Sequence, residues 1–299
     1  MSFVLKDAGG YGSGILGDVV DPVGIINSIY KITAFSGYTF STKPENAYNG
    51  IYKNIANATD LVGEEFLIHA PACINGASSP PQLGLWRTVK IISVNYDTTP
   101  AIFTVDKDLS DLSIDRYYWQ AIWIPHFKSL TLTSKSLYTL HAVANDAQKG
   151  YGGVLAFKCS DTFTLNGGHI DLTDCGLPTD TSTTFRPNTT QENSGTLDTD
   201  LYSGCENSIT KDKLLLNCGD GACWILAKNI VTQTASRIGN PNSQGVQYCR
   251  GATDSKPSHT GSNVGGSSIL IACDSWSGFN PANISKYRTN SGGRGLARA

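Results

Sequence analysis

Three times in the second half of the chain a glycine-led turn opens onto a short apolar run, a small or polar break and a second apolar position. The openings are Gly152-Gly153-Val154-Leu155-Ala156-Phe157, Gly219-Asp220-Gly221-Ala222-Cys223-Trp224 and Gly265-Gly266-Ser267-Ser268-Ile269-Leu270. In each, the second apolar position (Phe163, Ile230 or Trp276) falls ten residues after the second residue of the opening. Self-similarity of this kind predicts stacked β-coils, each burying its inward side chains against the next. The openings lie 67 and 46 residues apart, so long polar excursions, 179–199 and 241–264, leave the coils at their corners.

The first half carries a different pattern. Ile29-Tyr30-Lys31-Ile32-Thr33-Ala34-Phe35 reads as a strand, Ser36-Gly37 as a hairpin turn and Tyr38-Thr39-Phe40-Ser41 as the returning strand. A further strand over Glu65-Phe66-Leu67-Ile68-His69-Ala70 is expected to stop at Pro71. The plan recurs in Val89-Lys90-Ile91-Ile92-Ser93-Val94, Ile102-Phe103-Thr104-Val105 and Trp119-Gln120-Ala121-Ile122-Trp123-Ile124-Pro125, with Lys90 in the place of Lys31. Two similar β-units side by side predict one closed barrel, which removes exposed strand edges. Ser129-Leu130-Thr131-Leu132-Thr133 alternates with the period of a half-buried strand, and Thr139-Leu140-His141-Ala142-Val143 is a second such run. The expected fold class is therefore all-β: a flexible N-terminal arm (1–14), a duplicated small β-barrel domain (15–128), and a short right-handed β-solenoid (129–299) with long loop insertions.

Composition fits this picture. Charged residues make up only 16% of the 299 residues, below the usual quarter or so, and 31 glycines supply turn positions. The formal net charge is −2 with no Lys/Arg cluster, so nucleic acid is not an expected partner. No apolar run approaches the roughly 20 residues of a membrane helix, and Met1-Ser2-Phe3-Val4-Leu5-Lys6-Asp7 lacks the plan of a secretory signal. That combination suits a β-coil protein made in the cytoplasm that leaves by another route, such as within a virus particle. The eight cysteines include no CxxC pair, and Cys159, Cys223 and Cys273 fall inside the repeated runs, where they read as small buried hydrophobes.

Chemistry is sparse. His69, His126, His141, His169 and His259 form no HxH or HxxxH pair, and neither a metal site nor a cofactor is expected. The catalytic option is a carboxylate pair for glycoside hydrolysis. Asp171 and Asp174 are the candidates, with Asp161, Glu206, Asp212 and Asp220 behind them. Strand alternation sets Asp171 and Asp174 on opposite faces, so turn-capping and solvated roles are the stronger reading and no catalytic residue is expected. Tyr117 and Tyr118, beside Arg116, are candidate surface aromatics for sugar stacking. Phe3, Val4, Leu5 and Tyr11, flanking the run Gly9-Gly10-Tyr11-Gly12-Ser13-Gly14, mark either a frayed terminus or an assembly arm that docks on an adjacent subunit.

The stretch Leu16-Gly17-Asp18-Val19 through Asp21-Pro22 and Asn27-Ser28, followed by the paired β-units, resembles tail and fibre components of bacteriophages. Gly167-Gly168-His169-Ile170-Asp171-Leu172 and the Gly-Gly-opened coils are similar to β-helical segments of such appendages. The resemblance implies a virion structural protein of a tail, fibre or baseplate. Its partners would be copies of itself, in a trimer or ring, and other virion proteins, with contact to a host surface glycan left open. Two alternatives stand beside it: a polysaccharide-degrading or carbohydrate-binding β-helix protein, and a subunit of an extracellular fibre.

Overall fold

The computed structural model describes residues 9–43, 47–55, 60–73, 82, 84–115, 117–138, 151–172, 175, 214, 221–233, 236–239, 268–278 and 296–298. These residues form strands, turns and bridges with no helix among them, and the protein is all-β. Phe3, Val4 and Leu5, Asp174, the run 139–143 and both long excursions lie outside the described residues.

Six strands close a barrel: β2 (Ile29–Ser36), β3 (Thr39–Thr42), β4 (Glu65–Cys73), β5 (Trp86–Asn95), β6 (Ala101–Val105) and β7 (Tyr117–Trp123); β1 (Asp18–Val20) lies outside it. The order around the barrel is β2-β3-β6-β5-β4-β7, with every pairing antiparallel. This order is unchanged when β2, β3 and β4 are exchanged with β5, β6 and β7. The irregularities match as well: β2 slips against β3 between Ile32 and Ala34, and β5 slips against β6 between Ile91 and Ser93. Gly37 starts the two-residue turn after Ser36 at φ 53°, where a side chain would be strained. Pro71 does not end β4. It sits in a register shift between His69 and Ala72, where a missing N–H costs no ladder bond, and the strand runs on to Cys73. Period-two alternation sends Tyr30, Phe40, Phe66, Phe103 and Trp119 into the barrel interior, where Phe40 and Phe103 stack with ring centroids 4.9 Å apart.

The remaining strands are parallel. They are β8 (His126–Phe127), β9 (Ser129–Leu132), β10 (Ser136–Tyr138), β11 (Val154–Leu165), β12 (His169–Asp171), β13 (Ala222–Thr232), β14 (Arg237–Gly239), β15 (Ser268–Ala272), β16 (Ser275–Ser277) and β17 (Leu296–Arg298). An eight-stranded sheet has the order β1-β9-β11-β13-β15-β17, with β8 beside β11 and β16 beside β13. A three-stranded sheet has the order β10-β12-β14. Side chains from both sheets, among them Leu130, Phe163, Ile230, Leu137, Ile170 and Ile238, share one core. A boundary at residue 128 would put β1 and β8 with the barrel; hydrogen bonding puts both in the parallel sheet, so the barrel is an excursion from the stack's first pass.

The repeated phrases are neighbouring rungs. The second and third align as the sequence predicts, Ala222 on Ser268 and Ile230 on Trp276. The first is one residue out at its start: Val154 pairs with Ala222, not Gly221, and a bulge between Cys159 and Thr162 restores Phe163 to Ile230. The two halves of β11 and β13 differ in burial. In the first half Leu155, Phe157, Cys223 and Ile225 face the stack interior, while Val154, Ala156, Trp224 and Leu226 pack on the barrel's Ile29, Leu67, Trp86 and Ile122. Strands covered on both faces read as continuous apolar runs, Val154-Leu155-Ala156-Phe157 and Ala222-Cys223-Trp224-Ile225-Leu226. In the second half only Phe163, Leu165 and Ile230 point inward, and the alternation Thr162-Phe163-Thr164-Leu165 returns.

Candidate functional site

Among the described residues, three sets of polar contacts cross the junction between barrel and stack, each made between residues distant in sequence. Asn27 is fully buried. Its Nδ2 donates to the carbonyls of Trp123 (3.0 Å) and Ala156 (2.7 Å), and its Oδ1 accepts from the Ala156 N–H at 3.1 Å. One amide side chain thus joins a barrel strand to the stack. Gln120 does the same on the other side: Oε1 accepts from Gly152 N–H at 2.7 Å, and Nε2 lies 3.1 Å from Gly152 O and 3.0 Å from His69 Nδ1. The amide N–H bond makes Nδ1 of His69 the acceptor, so its Nε2–H donates to Leu214 O at 2.6 Å. Burial pushes the His69 pKa down to about 4, which keeps this imidazole neutral.

The third point carries charge. Lys158, wholly buried on β11, places Nζ 2.6 Å from Glu65 Oε2 at the start of β4 and 5.9 Å from the Trp224 ring centroid. His126 Nε2 lies 3.0 Å from the same carboxylate oxygen, an electrostatic contact off the line of a good hydrogen bond. Burial works against a Glu65 carboxylate, but the His126 contact and the Lys158 ammonium outweigh it and hold its pKa below the usual range. Burial pulls the Lys158 ammonium below its ordinary value against the attraction of Glu65. Enclosed in this way, the pair clasps barrel to stack and does not face solvent.

The glycine-rich segment roofs this clasp. Tyr11 OH donates to Asp274 Oδ1, and Ser13 N–H donates to His126 Nδ1 at 3.2 Å. Leu16 N–H then bonds His126 O and Lys128 N–H bonds Gly17 O, which leads the chain into β1. Gly12 has φ 89°, and a Cβ there would lie 2.9 Å from Lys158 Cβ and 3.0 Å from His126 Cγ. Glycine is required for this close approach, not for looseness. Residues 9–14 therefore lie along the corner of their own stack, from Asp274 to Lys128, and Tyr11 is half-buried there. Composition permits mobility in the expected arm; at Gly12 and Gly14 the backbone runs close against Lys158, His126 and Lys128.

On the outward face of the second half-column, Asp18, Ser129, Thr162, Asn229 and Ser275 form a polar ladder. Ser129 Oγ donates to Asp18 Oδ1 at 2.7 Å, and Ser275 Oγ donates to Asn229 Oδ1 at 2.8 Å. Asp161, whose neighbour Thr162 Oγ1 donates to it at 3.2 Å, continues the same line.

Among the described residues, the others singled out in the sequence are not brought together. Asp171 is half-buried on β12, in register with Tyr138 and Gly239, and Asp174 is outside the described residues, so Asp171 alone represents the carboxylate pair. Tyr117 is corrected from surface to core: only 2% exposed, it faces the barrel interior against Trp119, because alternation along β7 turns it inward. Tyr118 points the other way, half-buried, with Lys31 Nζ 5.6 Å from its ring centroid. Cys159, Cys175, Cys223 and Cys273 are buried, and burial raises the thiols of Cys159 and Cys273. Among the described residues no group of three His, Cys, Asp or Glu is placed to hold a metal ion, and no helix is long and apolar enough to cross a membrane. The clasp and its glycine roof were missed in the sequence; the one signal was a Lys in an apolar run, Phe157-Lys158-Cys159. No protein-family model, curated protein or solved structure matches the chain.

Proposed function

We propose that this protein is a virion structural subunit of a phage tail, fibre or baseplate that assembles with copies of itself and with other virion proteins. The observation that carries this reading is the parallel column of rungs, whose apolar interior runs from Val19 to Trp276 while its outward face carries a hydrogen-bonded polar ladder. That construction makes a rigid rod segment and not a pocket. In the finer reading the two parallel sheets are a short right-handed β-solenoid, and the barrel is an internal duplication. The exchange symmetry of its strand order and its matching slips at Ile32/Ala34 and Ile91/Ser93 support the duplication. The barrel attaches to the particle, the stack packs or presents loops, and a host surface glycan is the further ligand to test.

Light scattering of the purified protein, followed by electron microscopy, tests this directly. A discrete ring, trimer or filament is expected. A monomer at every concentration, including when mixed with other virion proteins, overturns the reading.

A further inference from the structure

Among the described residues, the pairs Lys53–Asp60, Lys53–Glu64, Arg87–Asp111 and Lys128–Asp18 each keep a carboxylate at least 30% exposed, where water solvates the charge. Lys158 and Glu65 are enclosed instead, with side chains 0% and 6% exposed. Lys158 Nζ lies 2.6 Å from Glu65 Oε2, and the carboxyl carbon is one covalent bond beyond that oxygen. The Trp224 ring centroid lies 5.9 Å from the same Nζ. The glycine strap lies against both residues: a Cβ on Gly12 would be 2.9 Å from Lys158 Cβ, and one on Gly9 would be 3.9 Å from Glu65 Oε1. His126 completes the group. Its Nδ1 accepts the Ser13 N–H at 3.2 Å, so a neutral ring carries its proton on Nε2, 3.0 Å from the same Glu65 Oε2.

We propose that Lys158 and Glu65 condense into an amide that joins the stack to the barrel covalently, with the loss of one water. This goes beyond the assembly reading and does not depend on how copies associate. The ion pair is the folded reactant, and the amide is a later state of the same site. Moving one proton from Lys158 Nζ to the Glu65 carboxylate cancels both charges, which relieves the cost of keeping two ions out of water. The freed lone pair on Nζ then attacks the carboxyl carbon, and the N–C bond forms. His126 Nε2 and Lys158 Nζ flank the same oxygen, Oε2. His126 Nε2 hands its proton to that departing hydroxyl and recovers one from the amine nitrogen, so the C–O bond breaks, water leaves and the imidazole is unchanged. Nothing is oxidised or reduced, and no further reactant is needed. Two fixed partners react with a high effective concentration, and enclosure under the strap keeps out the water that would reverse the step. The product links β4 to β11 across 93 positions, a closure that also constrains the unfolded chain.

The test is the mass of the full wild-type chain, reduced and denatured, as purified and after prolonged incubation in the folded state. The chain is expected to become one water lighter than its sequence, and a protease digest should yield the Glu65 peptide joined to the Lys158 peptide. Lys158→Arg keeps a buried cation but has no amine to condense, so it should hold its full sequence mass. His126→Ala, with the fold checked by circular dichroism, should lose the water about 100-fold more slowly, the scale of a missing general acid. A wild-type chain that stays at its full sequence mass overturns the proposal, whatever the variants do. So does a lost water that maps to residues other than Glu65 and Lys158. A linked chain whose His126→Ala variant reacts at the same rate overturns the role given to His126. None of these masses depends on oligomer formation, so light scattering and mass spectrometry fail or succeed separately.

Discussion

The barrel and the stack solve the same problem in opposite ways. The barrel closes on itself: its hairpins are local, its pairings antiparallel, and each of its six strands has two neighbours, so no edge remains. The stack is built from parallel rungs far apart in sequence, such as Val154 on Ala222, and among the described residues its strand order is open, running from β1 to β17. A closed antiparallel unit is complete in one chain. A parallel column has no intrinsic length, so something must cap it or extend it. The junction between the two is where the chain invests its buried polarity, and where the comparison can be broken by experiment.

The largest effect is expected at the clasp. Glu65→Ala leaves Lys158 buried without its carboxylate and should lower unfolding free energy by about 3–5 kcal/mol, read by chemical denaturation. Replacing both partners, Glu65→Leu with Lys158→Met, should recover much of that loss, since removing both charges also removes the desolvation cost. If the single and double variants are equally unstable, the site is one of packing and not charge.

His69 gives the next effect, through pH. Its folded pKa is about 4 and its unfolded value about 6.5, so the unfolded chain binds the proton first as pH falls. The neutral ring's contribution is therefore whole above about pH 6.5 and is lost between there and pH 4, a fall of about 3 kcal/mol. A His69→Gln variant should be less stable at neutral pH but should lose this slope. An unchanged slope would assign the pH dependence to other groups.

Gly12→Ala probes the roof. The positive φ and the 2.9 Å approach to Lys158 should cost about 1–3 kcal/mol, confined to the strap. Limited proteolysis should cut 9–17 faster in this variant while the barrel stays resistant. Equal protection would mean that the strap does not follow this path in solution. The smallest effect belongs to the barrel surface: Asp111→Asn removes an exposed pair with Arg87 and should change stability by less than about 1 kcal/mol.

How far the sequence speaks depends on what each face of a strand meets. In Ser129-Leu130-Thr131-Leu132 and Thr162-Phe163-Thr164-Leu165, water lies on one side and core on the other, so alternation announces both the strand and its inward residues. The β2–β3 hairpin is legible for a related reason: the glycine turn at Gly37 fixes its register locally. Tyr117 was misplaced because two adjacent tyrosines before a strand look alike in sequence, and only the phase of β7 separates the inward ring from the outward one.

By itself, then, the sequence determined the local and periodic features: the all-β class, the repeated rungs, the hairpins, and the pairing of Ile230 with Trp276. These follow from side-chain alternation and turn chemistry over a few residues. Tertiary structure alone decided the rest. Nothing local ties Glu65 to Lys158 across 93 positions, shifts Val154 by one residue onto Ala222, or sends Gly12 over both Lys158 and His126. Those outcomes depend on the barrel docking against one half of each long strand. Docking buries a second face there, and the polar side chains of Asn27, Gln120 and Lys158 that it covers are met by partners from other parts of the chain.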